Sequence, residues 1–298
     1  MNGDARIAGA PVSWGVIEIP DWGYQMPADR VLREAATLGL GAMESGPEEF
    51  LPGDPTEVTE ALTGHGLGLV GGFVPAVLHV ADVQDEQLAF VERRAKFFAA
   101  AGADVVVLAA STGSEDYGEV FAADEDAWRT LFGSLYAVEE IGDRHGVAVS
   151  LHQHYGTVIE RDDQLRRFLE GSEMGLCLDT GHLAIGGSDP VEVAKLAGGR
   201  INHVHLKDVD IDLAAKLASR ELDFREAAKR GAFRPLGEGD IDVGQLLDVL
   251  EGGGYSGWYV LEQDTVVEHV PAEGKGPVSD VEKSLRFVEE SLNGATGR

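Results

Sequence analysis

Two histidines one residue apart stand in the segment SLHQHYGT, residues 150–157, directly after an apolar run. Side chains alternate between the two faces of a strand, so His152 and His154 are expected to point to the same side. Such a pair can bind a metal ion, hold a polar substrate, or simply end a strand. The choice depends on which other polar residues reach the same place.

Polar residues follow four further apolar runs of the chain in the same way. Charged and imidazole groups that converge behind apolar strands must be paired, hydrogen-bonded or bound to a metal. Two imidazoles and two carboxylates would make a mixed nitrogen and oxygen site, which suits Mn²⁺, Co²⁺, Fe²⁺ or Zn²⁺ better than calcium. Besides the two histidines above, these residues are Glu44, Asp179, His182, His203, His205, Lys207, Glu262 and Asp264.

Eight short apolar runs alternate with helical patterns along the 298 residues. Several runs are nearly continuous Val, Ile, Leu and Ala, as expected of strands buried on both faces. The alternation predicts an α/β fold, a (β/α)8 TIM barrel that forms one domain over residues 1–298, with catalytic groups at the C-terminal strand ends. An open doubly wound sheet is the rival, but the first run lacks the glycine-rich phosphate loop of that fold. The runs span residues 6–14, 41–45, 67–74, 103–110, 147–152, 174–179, 201–206 and 258–262.

A long connection, residues 209–242, separates the seventh predicted strand from the next predicted helix. Within it, residues 213–230 are predicted to be helical, so the barrel is expected to carry a helical insertion. The insertion is either a solvated extra helix or a lid over the barrel mouth, because long loops in compact domains are often functional. Its basic residues are Lys216, Arg220, Arg225, Lys229 and Arg230.

The composition limits the partners that the chain can have. The chain carries 52 Asp and Glu against 24 Lys and Arg, which gives a formal net charge of −28. Such a surface repels phosphate backbones and anionic lipid, so neither nucleic acid nor a membrane is an expected partner. Cys177 is the only cysteine, which excludes an internal disulfide and favours a cytoplasmic location.

Four segments, CLDTGH, HVHLKD, PLGEGDID and GWYVLEQD, resemble in order and spacing the xylose-isomerase-like barrel superfamily of sugar phosphate isomerases and epimerases. The resemblance covers essentially the whole chain. In that superfamily one divalent metal ion is held by Glu, Asp, His and Glu at the ends of strands five to eight. The resemblance therefore implies Asp179, His205 and Glu262 as metal ligands, and a possible homodimer, since barrels of this group often pair.

Strand five departs from the superfamily pattern, because His152 stands where Glu is usual and His154 takes the second position. This His-x-His-x-Gly-Thr form, together with SWG near the N-terminus and ESGP after strand two, resembles the inosose dehydratases of inositol catabolism. The resemblance makes His152 the fourth ligand of one divalent metal ion. Mn²⁺ or Co²⁺ is favoured, and Mg²⁺, Fe²⁺ or Zn²⁺ is possible.

The chemistry that follows is the loss of water from a β-hydroxy ketone, for which one base, one acid and a stabilised enolate suffice. Glu262 is the candidate base, and His154 or Lys207 is the candidate acid for the departing hydroxyl. Epimerisation would instead use two metal-bound carboxylates, one on each face of the substrate carbon.

Other residues are expected to hold the substrate. We expect Trp14 and Glu44 to line the mouth and to hold the substrate's ring face and hydroxyls. His182, one helical turn after Asp179, would contact substrate or orient a ligand. His203 is expected to face the helix layer, opposite His205.

The sequence thus predicts a metal-dependent lyase that dehydrates a cyclic keto-polyol of the 2-keto-myo-inositol type. No phosphate loop is present, so an unphosphorylated polyol or keto-sugar is the expected small-molecule partner. The main alternative is a keto-sugar isomerase or epimerase on the same metal site. A C-glycoside-cleaving lyase and a non-catalytic sugar-binding protein are further alternatives. A DNA-repair endonuclease of the same barrel type would conflict with the net charge.

Overall fold

The structure, a computed structural model, describes residues 6–114 and 118–295. None of the helices in these two ranges combines the length and apolar character needed to cross a membrane. The strands are β1 Ile7–Gly9, β2 Ala42–Met43, β3 Gly68–Leu69, β4 Gly71–Ala76, β5 Val105–Ala110, β6 Ala148–His152, β7 Gly175–Asp179, β8 Ile201–Leu206, β9 Asp208–Val209, β10 Phe233–Arg234 and β11 Tyr259–Leu261. The α-helices are α1 Ala28–Leu38, α2 Pro55–Thr63, α3 Gln84–Ala100, α4 Glu125–His145, α5 Asp162–Gly171, α6 Thr180–Ile185, α7 Pro190–Ala197, α8 Ile211–Ala218, α9 Phe224–Lys229, α10 Val243–Gly252 and α11 Pro277–Ala295.

Nine strands form one parallel sheet in the order β3-β2-β1-β11-β8-β7-β6-β5-β4. The two edge strands, β3 and β4, are separated only by Val70. The N–H of Val70 donates to the Met43 carbonyl, and the Val70 carbonyl accepts from the Val105 N–H. Val70 therefore joins the two edges, and the sheet closes into a barrel. Counted together, β3 and β4 form one of its eight strands.

The predicted (β/α)8 barrel is confirmed, because each of the eight apolar runs contains a barrel strand or, in the third run, most of the pair β3 and β4. The first run is the one that differs most. Its strand ends at Gly9, and a 3-10 helix follows over Pro11–Trp14. Gly15 caps this helix in a left-handed conformation (φ 81°). Proline in the first position favours this turn, because its fixed φ suits a helix start.

Small apolar side chains fill part of the barrel interior. Ala8, Ala42, Val105, Cys177 and Val260 come from five different strands and pack in one buried cluster. Larger aliphatic residues pack between the strands and the helices outside them. Small residues inside the ring of strands leave space in the barrel interior for longer polar side chains.

The residues between β8 and α10 form the predicted helical insertion, but as two helices rather than one. The prediction of a single helix over 213–230 is wrong, because the chain turns at Arg220, which has a left-handed conformation (φ 63°). A new helix then begins, capped by the side chain of Asp223, which accepts from the Glu226 N–H at 2.7 Å.

The insertion is held to two loops at the C-terminal end of the barrel. The Arg220 guanidinium binds both carboxylate oxygens of Glu160, at 2.8 and 2.7 Å, and lies over the Tyr155 ring. Arg225 donates to the Trp22 carbonyl at 2.7 Å. The two arginines thus bind separate partners, one on each of the two loops.

A buried carboxylate fixes the base of the insertion. Asp208 is fully buried, and its two oxygens accept from the N–H groups of Val209, Gly237, Gly239 and Ile241 at 2.9–3.1 Å. A Cβ at Gly239 would collide with this carboxylate. The GEGD segment, residues 237–240, therefore wraps around an anion that the chain itself supplies.

We expect Asp208→Ala to loosen the insertion, because it leaves four buried or half-buried N–H groups without their acceptor. The free energy of unfolding should fall by about 2–4 kcal/mol, and amide hydrogen exchange should quicken over residues 209–242. Asp210→Ala is the matched control, because it removes a helix cap in the same segment and should cost about 1 kcal/mol. Equal effects of the two substitutions would contradict this account.

Candidate metal centre and active site

The C-terminal ends of four barrel strands bring four metal-binding side chains together. His152, Asp179, His205 and Glu262 each offer one donor atom, and the four atoms lie within 4.8 Å of one another. The Nδ1 atom of His205 lies 2.9 Å from Glu262 Oε2 and 3.5 Å from Asp179 Oδ2. The Nε2 atom of His152 lies 3.7 Å from the same Asp179 oxygen. The structure thus gathers the four residues that the sequence suggests as ligands.

Backbone register explains part of this convergence. Asp179 ends β7 directly beside His205 of β8 in the parallel ladder. Asp179 is also the N-cap of α6, where its Oδ1 accepts from the His182 N–H at 2.8 Å. This bond holds the carboxylate, so that its second oxygen, Oδ2, faces the other three side chains.

The donor atoms fit a divalent metal ion. Asp179 Oδ2, His205 Nδ1 and Glu262 Oε2 are buried, and none has a well-directed hydrogen bond to any part of the chain that the structure describes. Buried polar atoms without partners are costly, and carboxylates more so. A cation among these atoms would satisfy all three, and the mixture of imidazole and carboxylate suits Mn²⁺, Co²⁺, Fe²⁺ or Zn²⁺.

Electrostatics keep His152 and Glu262 in the forms that bind metals, whereas the pKa of His205, which burial alone would lower, is raised well above its usual value by neighbouring groups that include Glu262 and Glu44. Burial lowers the pKa of His152 well below its usual value, with a further decrease from the charge of His205, so this imidazole is neutral. Burial alone would raise the pKa of Glu262, but His205 and Lys207 hold it well below the usual range, so this carboxyl is ionised.

Glu44 lies inside the barrel, beneath this cluster. Its Oε1 atom is 2.8 Å from His203 Nε2 and 2.9 Å from His205 Nε2. Burial alone would raise the pKa of Glu44, but the two imidazoles lower it, to about 2. The expectation that His203 faces the helix layer is wrong, because positions two apart on a strand share a face, and His203 lies on the same side as His205.

A second group of polar side chains lies beside the first. Lys207 is 2% exposed, and its Nζ lies 2.7 Å from Asp264 Oδ2, 3.3 Å from Glu262 Oε2 and 3.1 Å from His182 Nε2. Burial would lower the pKa of Lys207, but Asp179, Asp264 and Glu262 raise it well above its usual value. Lys207 therefore stays protonated, and His182 Nε2 accepts its hydrogen bond.

His154 and His182 stack beside this lysine, with ring centroids 3.8 Å apart. Burial, and then the charge of Lys207, lowers the pKa of His154 to about 4, so its imidazole is neutral. Its Nδ1 lies 2.7 Å from the Tyr155 carbonyl, which can only accept, so the proton is on Nδ1. The Nε2 atom of His154 is therefore left with a lone pair.

A cavity of about 250 Å³ opens above both groups and reaches solvent. It is slightly smaller than a usual ligand pocket and suits a molecule of one ring. Of the residues predicted to touch substrate or metal, the described cavity walls include His152, His154, His205, Lys207, Glu262 and Glu44. Asp179 and His182 lie just behind these walls, in contact with their neighbours.

Trp14, which the sequence analysis places at the mouth, does not line this cavity. Its indole is fully buried and donates from Nε1 to Glu34 Oε2 of α1 at 3.0 Å. The reason is the 3-10 helix that begins at Pro11, which turns the chain so that Trp14 packs toward the helix layer. The aromatic wall is supplied instead by Phe73 of β4, whose ring lies 5.4 Å from that of His154.

Several lining residues, among them Phe73, Glu18 and Arg94, were not foreseen from the sequence. Phe73 lies within a strand, Glu18 in the loop after the 3-10 helix, and Arg94 on α3, so none follows a strand end. Phe73 could have been found as the one large aromatic residue of a strand that otherwise reads GGxVPA. Nothing in the periodicity distinguishes Arg94 or Glu18 from solvent-facing charges.

Comparisons with known proteins agree with this geometry. The chain matches a family model described as xylose isomerase-like TIM barrel over residues 32–290. An inosose dehydratase of Geobacillus kaustophilus is 31% identical over 277 residues, which cover 89% of each chain.

Solved structures share the fold at lower identity. L-ribulose 3-epimerase superposes with a TM-score of 0.72 at 20% identity, over 98% of this chain and 96% of that one. The IOLI protein, solved with a binding zinc atom, gives a TM-score of 0.71 at 15% identity, over 97% and 99%. With the family model and the dehydratase relative, the chain belongs to the xylose isomerase-like TIM barrel family and is an enzyme of the lyase or isomerase/epimerase class.

Proposed function

We propose that the protein is a divalent-metal-dependent dehydratase that removes water from a cyclic keto-polyol of the 2-keto-myo-inositol type. The observation that carries the proposal is the site itself: two imidazoles and two carboxylates face one point, and a protonated lysine lies beside them. The names of relatives such as the Geobacillus kaustophilus inosose dehydratase support the choice of substrate.

His152, Asp179, His205 and Glu262 would hold the metal ion at the floor of the cavity. When bound, a divalent cation would polarise the substrate carbonyl and stabilise negative charge on its oxygen. The protein's own contribution is to fix the four donors and to exclude water from around them, which strengthens every electrostatic interaction in the site.

Glu262 and Lys207 form the acid and base pair of this proposal. Ionised Glu262 takes the proton from the carbon beside the carbonyl, and the Lys207 ammonium gives a proton to the hydroxyl that leaves as water. Their side chains lie 3.3 Å apart, so the proton on Glu262 can pass to neutral Lys207 and restore both groups. Substrate then becomes product plus one water, with no net proton change in the enzyme.

His154 suits a different role from the acid that the sequence also allows. Its proton lies on Nδ1, which faces the Tyr155 carbonyl, so Nε2 can only accept. We propose that His154 accepts a hydrogen bond from a substrate hydroxyl and that Lys207 is the acid. Neutral His154 and His182 beside Lys207 add no like charge near the ammonium.

Dehydration fits this site better than epimerisation. Epimerisation moves a proton from one face of a carbon to the other and uses a base on each face. The strand-five position here holds His152, a neutral imidazole whose Nε2 faces Asp179, so Glu262 is the one ligand suited to take a proton.

Chelation should abolish activity, and Mn²⁺ or Co²⁺ should restore it. Asp179→Asn should weaken Mn²⁺ binding at least tenfold, measured by electron paramagnetic resonance titration, because it removes one anionic ligand. Asp189→Asn is the matched control, since Asp189 caps α7 as Asp179 caps α6, and Asn also caps helices well. Activity indifferent to chelation would overturn the metal-dependent proposal.

Nuclear magnetic resonance in D₂O should separate the reaction classes. With 2-keto-myo-inositol and Mn²⁺, we expect the carbon skeleton to lose one water and to gain a second carbonyl or its enol. Ketohexoses should remain unchanged under the same conditions. Deuterium incorporation with an intact set of hydroxyls would instead indicate an epimerase or isomerase, and binding without turnover would indicate a sugar-binding protein.

Substitution of Lys207 and His154 should affect different kinetic constants. Lys207→Gln should lower kcat by about 10²–10⁴-fold, because the leaving hydroxyl loses its proton donor. His154→Leu should mainly raise KM, since it removes an acceptor for a substrate hydroxyl. A large loss of kcat in His154→Leu with normal kcat in Lys207→Gln would exchange the two roles.

A further inference from the structure

We propose that Glu44 is a positioning residue that fixes the tautomer and orientation of His205, so that Nδ1 of His205, and not Nε2, binds the metal ion. This inference rests on the proposed metal-dependent function. It gives Glu44 a task different from the substrate contact that the sequence suggests. It also gives a role to His203, which no catalytic step above uses.

Glu44 reaches His205 across the interior of the barrel. Glu44 follows β2, and its N–H continues the ladder by donating to the Gly9 carbonyl. In the sheet order, β2 is separated from β8 by β1 and β11, so Glu44 reaches His205 across the barrel interior and not along a neighbouring strand. The small side chains of Ala8 and Ala42 leave room for this reach.

The hydrogen bonds to Glu44 Oε1 determine which nitrogen of His205 carries a proton. A carboxylate accepts hydrogen bonds and donates none, so the nitrogen atoms that face Glu44 Oε1 carry protons. For His205 that nitrogen is Nε2, at 2.9 Å. Nδ1 is then the nitrogen that offers its lone pair when a cation binds.

The Nδ1 atom of His205 faces two carboxylate oxygens. It lies 2.9 Å from Glu262 Oε2 and 3.5 Å from Asp179 Oδ2, and its contact with Glu262 is not directed as a well-formed hydrogen bond. This is the arrangement of a ligand nitrogen directed, with two carboxylate oxygens, at a common cation. A carboxylate on the far nitrogen of a metal-binding histidine sets its tautomer and strengthens it as a ligand.

His203 holds Glu44 from the other side. Its Nε2 lies 2.8 Å from the same oxygen, and both residues are at most 4% exposed. Because two imidazoles share one carboxylate oxygen, Glu44 cannot change its rotamer without losing both bonds. His203, Glu44 and His205 therefore form a buried chain that ends at the metal site.

Metal titration without substrate tests this role independently of activity. Glu44→Leu should weaken Mn²⁺ binding by about 10–100-fold, measured by electron paramagnetic resonance. Glu44→Gln keeps an acceptor oxygen and should retain most of the affinity. Glu34→Gln is the control, because Glu34 is a buried carboxylate bonded to Trp14 and Arg30, away from the four ligands.

The ring nitrogens can be observed directly, even if Glu44→Leu folds poorly. Long-range ¹H–¹⁵N spectra of the wild type loaded with Zn²⁺ should show His205 with a proton on Nε2 and metal on Nδ1. Metal on Nε2, or wild-type Mn²⁺ affinity in folded Glu44→Leu, would overturn the inference alone. A wild type that binds no divalent metal would overturn the proposed function and this inference with it.

Discussion

The constraint on which the rest of the site depends is the burial of like charges at the C-terminal end of the barrel. Asp179, Glu262 and Asp264 lie within a few ångströms of a single ammonium, that of Lys207. Removing carboxylates from water costs several kcal/mol each unless they are paired. Lys207 and His205 both face these carboxylates, and the oxygens of Asp179 and Glu262 that point to the centre have no well-directed hydrogen bond within the part of the chain that the structure describes. The proposed divalent cation would balance this negative charge and would make the same atoms useful for chemistry.

The strands and the insertion contribute to this charged site in different ways. The strands place the candidate metal-binding atoms in register, and the insertion supplies an apolar wall behind Lys207 and His182. Phe224 stacks parallel to His182 at 6.3 Å, and Phe233 lies 5.6 Å from the Lys207 ammonium. A wall of this kind keeps water away from Lys207 and strengthens its interaction with the carboxylates. The insertion thus contributes to the electrostatics of the site.

The strands and the four strand-end donors could be predicted from the sequence, because buried parallel strands leave a strong apolar pattern and their ends carry the exceptions to it. The places where prediction failed are those where local geometry overrides the pattern. Pro11 begins a 3-10 helix and turns Trp14 away from the cavity. Arg220 adopts a left-handed conformation and splits one predicted helix into two. Contacts that cross the barrel, such as Glu44 with His203, join residues 159 positions apart and leave no periodic signal.

The central claim is that one divalent metal ion is bound by residues of four neighbouring strands. Anomalous diffraction from crystals soaked in Mn²⁺, recorded near the manganese absorption edge, tests it most directly. We predict one strong peak at roughly 2.0–2.3 Å from His205 Nδ1, Asp179, Glu262 and a ring nitrogen of His152. A Mn²⁺-soaked crystal with no peak among these four side chains, or with the peak at another set of residues, would contradict the account.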